Sequence, residues 1–389
     1  MEEPLKTITR VLASLAAATL AAAAHADIKI GLILPLSGPF AAYGKQIEHG
    51  VRLYLAQTGG QVGGQKVELI LRDDTGIAPE VDKRLAQELV VKDKVDILAG
   101  FGLTPSAFAV APIATEAKKP MVVMNAATSA VSSKSPYIVR TSMTLPQTTA
   151  PIASWAAKQG IKKVFTLVSD YGPGHDAETQ FKTTFTAAGG TIVGEVRAPA
   201  KNPDFAPFLQ RIKDEKPDAV FLFVPPGEQS IGFMKGFVER GLDKAGIRLI
   251  ATGDLTDEDI IDAMGDPALG IITSFHYAES HASPENKAYV EAYEKAYPKD
   301  RPNFMSVGGY DGMHLIDMVL KKTGGSPDAD KFVEAAKGMK WTSPRGPLTI
   351  DPQTRDPVQN LYIRKVERVG GKLQNIEFDV LPDFKDPSR

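Results

Sequence analysis

Ile28-Lys29-Ile30-Gly31-Leu32-Ile33-Leu34 is a short apolar run rich in β-branched residues, and an amphipathic stretch, Tyr43 to Gln57, follows it and ends at Gly59-Gly60. The first reads as a strand and the second as a helix. The alternation continues: Val67 to Leu71 is strand, Ala78 to Lys92 helix, Val95 to Ala99 strand, Pro105 to Ala117 helix and Met121 to Met124 strand. It restarts with Pro146 to Lys158 as helix and Val164 to Val168 as strand. Pro173 to Ala188, Thr191 to Val196, Asp204 to Lys213, Ala219 to Val224, Gly227 to Arg240 and Ile247 to Ala251 carry it on, helix and strand in turn. Apolar runs of this length between helices are parallel strands covered on both faces. The fold class is therefore α/β, doubly wound, with enough chain for two parallel sheets. From Trp341 the register changes, and Gly346 to Ile350, Val358 to Lys365 and Leu373 to Phe378 read as closing hairpin strands.

Upstream of Ile28 the chain has another character. Lys6 and Arg10 precede an uncharged run from Val11 to Ala24, which ends in Ala24-His25-Ala26 before Asp27. A basic start, a short apolar segment and small residues two apart mark residues 1–26 as a secretory signal peptide, cleaved after Ala26. The run is too short to span a bilayer. With 0 Cys, the exported chain has no disulfide staples and must rely on buried core, for which about 360 residues suffice as two domains. A net charge of −2, with both signs interspersed, shows no basic stripe for nucleic acid.

Loops beyond the carboxyl ends of strands are where open parallel sheets bind ligands. Two of them approach cofactor motifs and miss. Gly38 to Gly44-Lys45 has five residues between the glycines where a phosphate loop has four, and Gln46 replaces the magnesium-binding hydroxyl. Gly172-Pro173-Gly174-His175-Asp176-Ala177 has dinucleotide spacing, but Pro173 stiffens the turn and the unit lies well inside the chain. G-x-S-x-G and H-E-x-x-H are absent, and His49, His175, His276, His281 and His314 show no ligand spacing. Asp254, Asp257, Glu258 and Asp259 could hold a metal, but Asp257 to Asp259 read better as carboxylates at a helix start. The expectation is no enzyme, no metal and no cofactor.

The loops do resemble those of one family, the periplasmic branched-chain amino-acid binding proteins, type I solute receptors of ABC importers. The likeness rests on Ile30-Gly31-Leu32-Ile33-Leu34-Pro35-Leu36-Ser37-Gly38-Pro39 with Tyr43-Gly44, on Gly50, Asp73-Asp74 and Gly100-Phe101-Gly102-Leu103-Thr104. Asn125-Ala126-Ala127-Thr128, Asp170-Tyr171-Gly172-Pro173-Gly174 and Gly308-Gly309-Tyr310-Asp311 complete it, in order, from Ile28 to the C-terminus. The resemblance implies two α/β lobes, 27–141 with 275–351 and 142–274 with 352–389, joined by crossings near Thr141, Thr273 and Asp351 around a ligand cleft. It also implies a monomer in the periplasm whose partners are a small ligand and a membrane ABC permease. By the same matching, Tyr43 lines the cleft, Leu103 and Thr104 hold the ligand carboxylate, and Ala126, Ala127 and Thr128 offer backbone groups and a hydroxyl. Tyr171 closes from the second lobe, Asp254 pairs with an ammonium, where the family usually has Glu, and Tyr310 stands on the first-lobe rim.

The residue chemistry agrees. Thr104-Pro105-Ser106 opens a helix whose unpaired amides, with the Thr104 and Ser106 hydroxyls, make a seat for a carboxylate. One departure stands out: Pro225-Pro226-Gly227 occupies a place where the family commonly has an aromatic, which should shorten one wall and admit a bulkier ligand. The ligand expectation leans to a branched-chain or other hydrophobic amino acid, with an aromatic carboxylate of the benzoate or cinnamate kind as the alternative. A receptor that feeds a sensor kinase and a secreted hydrolase are the other readings. For the leader, mass spectrometry of the exported protein is expected to find Asp27 as its first residue; an intact Met1 would overturn the assignment.

Overall fold

The structure, a computed structural model, describes residues 27–389, so the expected leader and its cleavage site lie outside the described residues. The first lobe runs β1 (Ile28–Leu34), α1 (Ala41–Gln57), β2 (Gln61–Val62), β3 (Gln65–Asp73), α2 (Pro79–Glu88), β4 (Ile97–Gly100), α3 (Thr104–Glu116), β5 (Met121–Val123) and β6 (Ile138–Arg140). Its sheet has the order β2-β3-β1-β4-β5-β6, parallel except for the two-residue β2. The opening run explains the layering. Ile28, Ile30, Leu32 and Leu34 bury into one core while Ile33 joins a second core on the opposite face, as side chains alternating along a doubly covered strand must.

The second lobe runs α4 (Leu145–Lys158), β7 (Lys163–Ser169), α5 (Gly172–Ala187), β8 (Thr191–Ala198), α6 (Ala206–Glu215), β9 (Ala219–Phe223), α7 (Glu228–Glu239), β10 (Arg248–Thr252), α8 (Ile261–Met264) and β11 (Ile272–Phe275). The chain then returns to the first lobe with α9 (Pro284–Ala296), α10 (Phe304–Lys322) and α11 (Ala329–Ala336), three helices for which the sequence reading had no expectation. Here α10 packs on α1 backbone to backbone: a Cβ at Gly50 would stand 1.8 Å from the Ser306 carbonyl oxygen, and one at Gly309 2.2 Å from that of Ile47. The closing strands are β12 (Lys340–Ser343), β13 (Gly346–Ile350), β14 (Pro357–Val369) and β15 (Lys372–Phe384). They extend the second sheet to nine strands, β12-β13-β14-β11-β10-β9-β7-β8, with β15 paired to β14. Residues 340–350, which the resemblance groups with the first lobe, are thus hydrogen-bonded into the second sheet. Trp341 Nε1 and Ser343 Oγ meanwhile donate to Asp311 of α10, so the segment ties both lobes together.

The passages between lobes are held by buried arginines. Arg140, at the end of β6, pairs with Asp356 at 2.8 Å, both almost without exposure. It also donates to the carbonyls of Ala126, Thr128 and Ser129. Arg345 donates to the carbonyls of Ser142 and Thr141 and pairs with Asp311 at 3.1 Å. Arg364 donates to the Thr273 hydroxyl and the Tyr277 carbonyl. Arg140→Met is expected to leave Asp356 charged, buried and unpaired, at a cost of about 3–5 kcal/mol. Urea unfolding measures it, and the double replacement Arg140→Met/Asp356→Leu should recover most of the loss. A single-variant loss below about 1 kcal/mol, the value of an exposed pair, would contradict the assignment.

Candidate functional site

The carboxyl ends of β4 and β5 in the first lobe, and of β7, β9 and β10 in the second, converge on one cleft. The cleft encloses a cavity of about 320 Å³ of space between atoms, counted with any open solvent at its edge. Seven of the residues expected at the site line it: Tyr43, Leu103, Thr104, Ala126, Ala127, Tyr171 and Asp254. Thr128 sits just behind, its amide donating to Thr104 Oγ1 at 3.3 Å, with its own buried hydroxyl left without a protein partner. Tyr310 is not there. Its ring packs on Tyr54 and Tyr289 and its hydroxyl donates to Gln57 Oε1, on the side of α10 that faces α1 and α9. The rim role expected of Tyr310 is therefore corrected.

Thr104 owes its position to the turn before it. Gly100 and Phe101 both take positive φ, 104° and 64°, and a Cβ at Gly100 would come within 2.5 Å of the Ile33 carbonyl oxygen. Asn125 Nδ2 then pins the turn by donating to the Gly102 carbonyl at 2.7 Å. Helix α3 begins at Thr104 with no side-chain cap and with proline in its first turn. The second lobe repeats the arrangement, since α5 starts after Tyr171, uncapped, with Pro173 in its first turn. The two helix starts meet across the cleft: a Cβ at Gly172 would lie 2.6 Å from Thr128 Oγ1 and 3.5 Å from Thr104 Cγ2. Gly172 of the near-dinucleotide motif therefore serves lobe contact, and Gly174 serves the close approach of α5 to its own sheet, since a Cβ there would stand 1.8 Å from the Ser169 carbonyl oxygen. Two uncapped helix starts with free first-turn amides make a seat for an anion. The Ser106 hydroxyl, expected in that seat, is instead turned away and donates to buried Asp82 at 2.5 Å. No Lys, Arg or His lines the cavity, so hydroxyls and amides are what it offers a negative charge.

The rest of the wall is flat and apolar. Tyr171 stacks on Phe223 with centroids 6.2 Å apart, and Met143, Leu145, Pro173, Pro226 and Met305 complete the lining. Phe223, Met143, Leu145 and Met305 carried no signal in the sequence, because an apolar residue in a core and one facing a ligand obey the same periodicity. Pro225-Pro226 does not open the wall as expected. The Pro226 carbonyl accepts a hydrogen bond from the Tyr43 hydroxyl at 3.0 Å, lobe to lobe, and Phe223 at the end of β9 supplies the aromatic. Burial holds the Tyr43 and Tyr171 hydroxyls far above their ordinary range, with Asp254 adding to the effect on both, so both are neutral donors.

Asp254 is 5 % exposed and accepts from the Thr252 hydroxyl at 2.7 Å. Burial pushes its carboxyl up to about 6, against the opposing pull of the Thr252 bond and of Arg364. Its neighbours Asp257 and Glu258 are not solvated carboxylates at a helix start. Asp257 is buried and accepts from Asn303 Nδ2 at 3.0 Å, Glu258 is buried and accepts from Asn375 Nδ2, and α8 behind them is a single turn. Among the described residues no group of three or more His, Cys, Asp or Glu is placed to hold a metal ion.

Residues 27–372 match the periplasmic binding protein family. The chain is 51% identical over 380 residues to a Brucella melitensis protein named Leu/Ile/Val-binding protein homolog 6, covering 97% of each. Its structure is similar to that of a solute binding protein of an ABC transporter from Rhodopseudomonas palustris BisB5 in complex with 3,4-dihydroxybenzoic acid. There the TM-score is 0.90 and the identity 57%, over 93% of this chain and 99% of the other. A solute binding protein of an ABC transporter from Rhodopseudomonas palustris HaA2 in complex with p-hydroxybenzoic acid is similar at TM-score 0.91 and 48% identity, with the same coverage.

The position of Asp254 has a consequence for stability. Its carboxyl titrates near 3.9 in an unfolded chain and at about 6 here, so the folded state binds the proton more tightly. The contribution is full below about pH 4 and is lost as pH rises through about 6. Asp254→Asn is therefore expected to gain on wild type by up to about 3 kcal/mol between pH 4 and pH 7.5 in the ligand-free protein. Unfolding curves across that range measure it, and parallel wild-type and variant profiles would refute the burial argument.

Proposed function

The chain belongs to the periplasmic binding protein family, and we propose that it is the solute-binding component of an ABC importer for a hydroxylated benzoate. The single observation that carries the ligand class is the shape and polarity of the cavity. An anion seat without a cation stands in a slot walled by Tyr43, Tyr171, Phe223 and prolines, which also holds a buried carboxyl raised to about 6. A benzoate carboxylate would take the seat between the starts of α3 and α5, with the Thr104 hydroxyl donating to it. The ring would lie among the aromatic side chains, and a ring hydroxyl would donate to Asp254. The related proteins solved with dihydroxybenzoate and hydroxybenzoate support the same class.

Capture would proceed by hinge closure. Contacts that exist only when the lobes meet, such as Tyr43 to Pro226 and the Ser129 amide to Asp176 at 2.7 Å, hold the closed form. A ligand bridging both lobes shifts the population toward it. In this reading the chain works as a monomer in the periplasm after removal of residues 1–26, turns nothing over, and hands its ligand to a membrane permease. A hydrophobic amino acid is the second reading. It is favoured by the name of the Brucella relative and by the one carboxyl that could face an ammonium.

Calorimetry and thermal unfolding with 4-hydroxybenzoate, benzoate and leucine separate the two. The hydroxybenzoate is expected to bind and, at 100 times its Kd, to stabilise the fold by about 2.7 kcal/mol. Thr104→Ala should cost about 1.5–3 kcal/mol, roughly ten- to a hundredfold in affinity, as the loss of a hydrogen bond to a charged group. Asp254→Asn should weaken 4-hydroxybenzoate several-fold and leave benzoate unaffected. If leucine binds tightly, 4-hydroxybenzoate does not, and Asp254→Asn abolishes leucine binding, the amino-acid reading replaces this one.

A further inference from the structure

We propose that a second cavity, at the mouth of the cleft, is an outer docking site where the incoming aromatic anion first pairs with Lys201. The inference rests on the hydroxybenzoate reading and adds a step before it. The outer cavity holds about 940 Å³ of space between atoms against about 320 Å³ for the inner one, both counted with open solvent. Both lobes build it: Phe40 and Ile77 from the first, Lys201, Phe205 and Pro226 from the second. Pro226 lines both cavities. Phe40 packs edge-on against Tyr43, with centroids 5.4 Å apart, and Tyr43 bonds to the Pro226 carbonyl. A wall of three residues therefore separates a wide outer space from a narrow inner one, and opening the lobes would break that wall.

Charge is what distinguishes the two. The inner cavity is lined by no basic residue, and Lys201 is the one basic residue among those lining the outer. Its ammonium has three donors and donates across the cleft to the Ile77 carbonyl at 3.2 Å, which leaves donors for a carboxylate. The walls around it are stiff. Gln229 is fixed at both ends, donating to the Ala200 carbonyl at 2.9 Å and accepting from the Ser169 hydroxyl at 3.3 Å. Thr75, on the opposite wall, is held at φ 61°, a conformation costly for a β-branched residue. An anion approaching these two cavities, whose linings hold no other cation, is concentrated by Lys201, while the rings beside it shelter the apolar part of the ligand. Exposed Glu228 stands on the same rim and opposes that attraction. As the lobes close, the ligand passes to the inner seat and the ammonium is left on the Ile77 carbonyl.

Stopped-flow association of 4-hydroxybenzoate with the whole mature chain tests this, using Lys201→Gln and Glu228→Gln. Both are surface changes, and equal melting temperatures show that they fold. At low salt Lys201→Gln should slow association about threefold or more and Glu228→Gln should speed it. The association differences should vanish at high salt, while dissociation should rise by no more than about fivefold in Lys201→Gln, the value of its bond to Ile77, and change by less than twofold in Glu228→Gln. A role limited to the Ile77 bond would raise dissociation and leave association unchanged, which overturns the proposal. So do unchanged rates in both variants while wild type binds normally. If wild type does not bind 4-hydroxybenzoate at all, the function proposed above fails, and this inference with it.

Discussion

A guanidinium buried away from water must find a protein acceptor for its donors, or it costs several kcal/mol. Arg140, Arg345 and Arg364 are all buried; Arg140 precedes Thr141, Arg345 bonds to Thr141 and Ser142, and Arg364 bonds to Thr273, the places where the family resemblance puts two crossings between lobes. The demand shapes the backbone around them. To satisfy Arg140, the carbonyls of Ala126, Thr128 and Ser129 turn toward it, and that sets the path of the segment lining the cavity floor. To satisfy Arg345, Thr141 and Ser142 present their carbonyls at the first crossing. Arg364 does the same at the second, through Thr273 and Tyr277. The expected crossings and the segment that lines the cavity thus share one set of hydrogen bonds.

The lobes are joined unequally at their two ends. At the crossings the ties are buried ion pairs, which are costly to break singly. Across the cleft they are single hydrogen bonds, Tyr43 to Pro226, Lys201 to Ile77, the Ser129 amide to Asp176, each worth about 1 kcal/mol net. Such contacts hold a closed form only marginally. In the proposed function a ligand that touches both helix starts would supply the remainder, which would link occupancy to closure through energies of similar size.

The cavity itself avoids fixed positive charge. A lysine or arginine beside the anion seat would have to be desolvated in the empty closed protein, and the amides of α3 and α5 bear no such cost because the helices already orient them. The one acid present, Asp254, has its carboxyl pushed up to about 6 by burial, while the hydroxyl of Thr252 donates to it and favours the charged form. Whichever group of a ligand meets it, an ammonium or a phenolic hydroxyl, must be a donor.

The chain's local spacing determined much by itself. Alternating apolar runs and amphipathic stretches specify the strands and helices of both sheets through β10, except the two- and three-residue β2 and β6, because those periods belong to each element alone. The loops at the strand ends follow, and the family resemblance, not the spacing, pointed within them to Tyr43, Leu103, Thr104, Ala126, Ala127, Tyr171 and Asp254, which line the cavity. Tertiary structure alone decided the rest. Tyr310 turns to Gln57 instead of the cleft because the close packing of α10 on α1 through Gly50 and Gly309 sets the rotation of that helix. Residues 340–350 join the second sheet because β14 offers them an edge. Met143, Leu145, Phe223 and Met305 became cavity wall only when distant segments met, as Tyr43 and Pro226 do across 183 residues. A pattern of burial records that a side chain leaves water; which surface it then faces is set by long-range packing, and no local period encodes it.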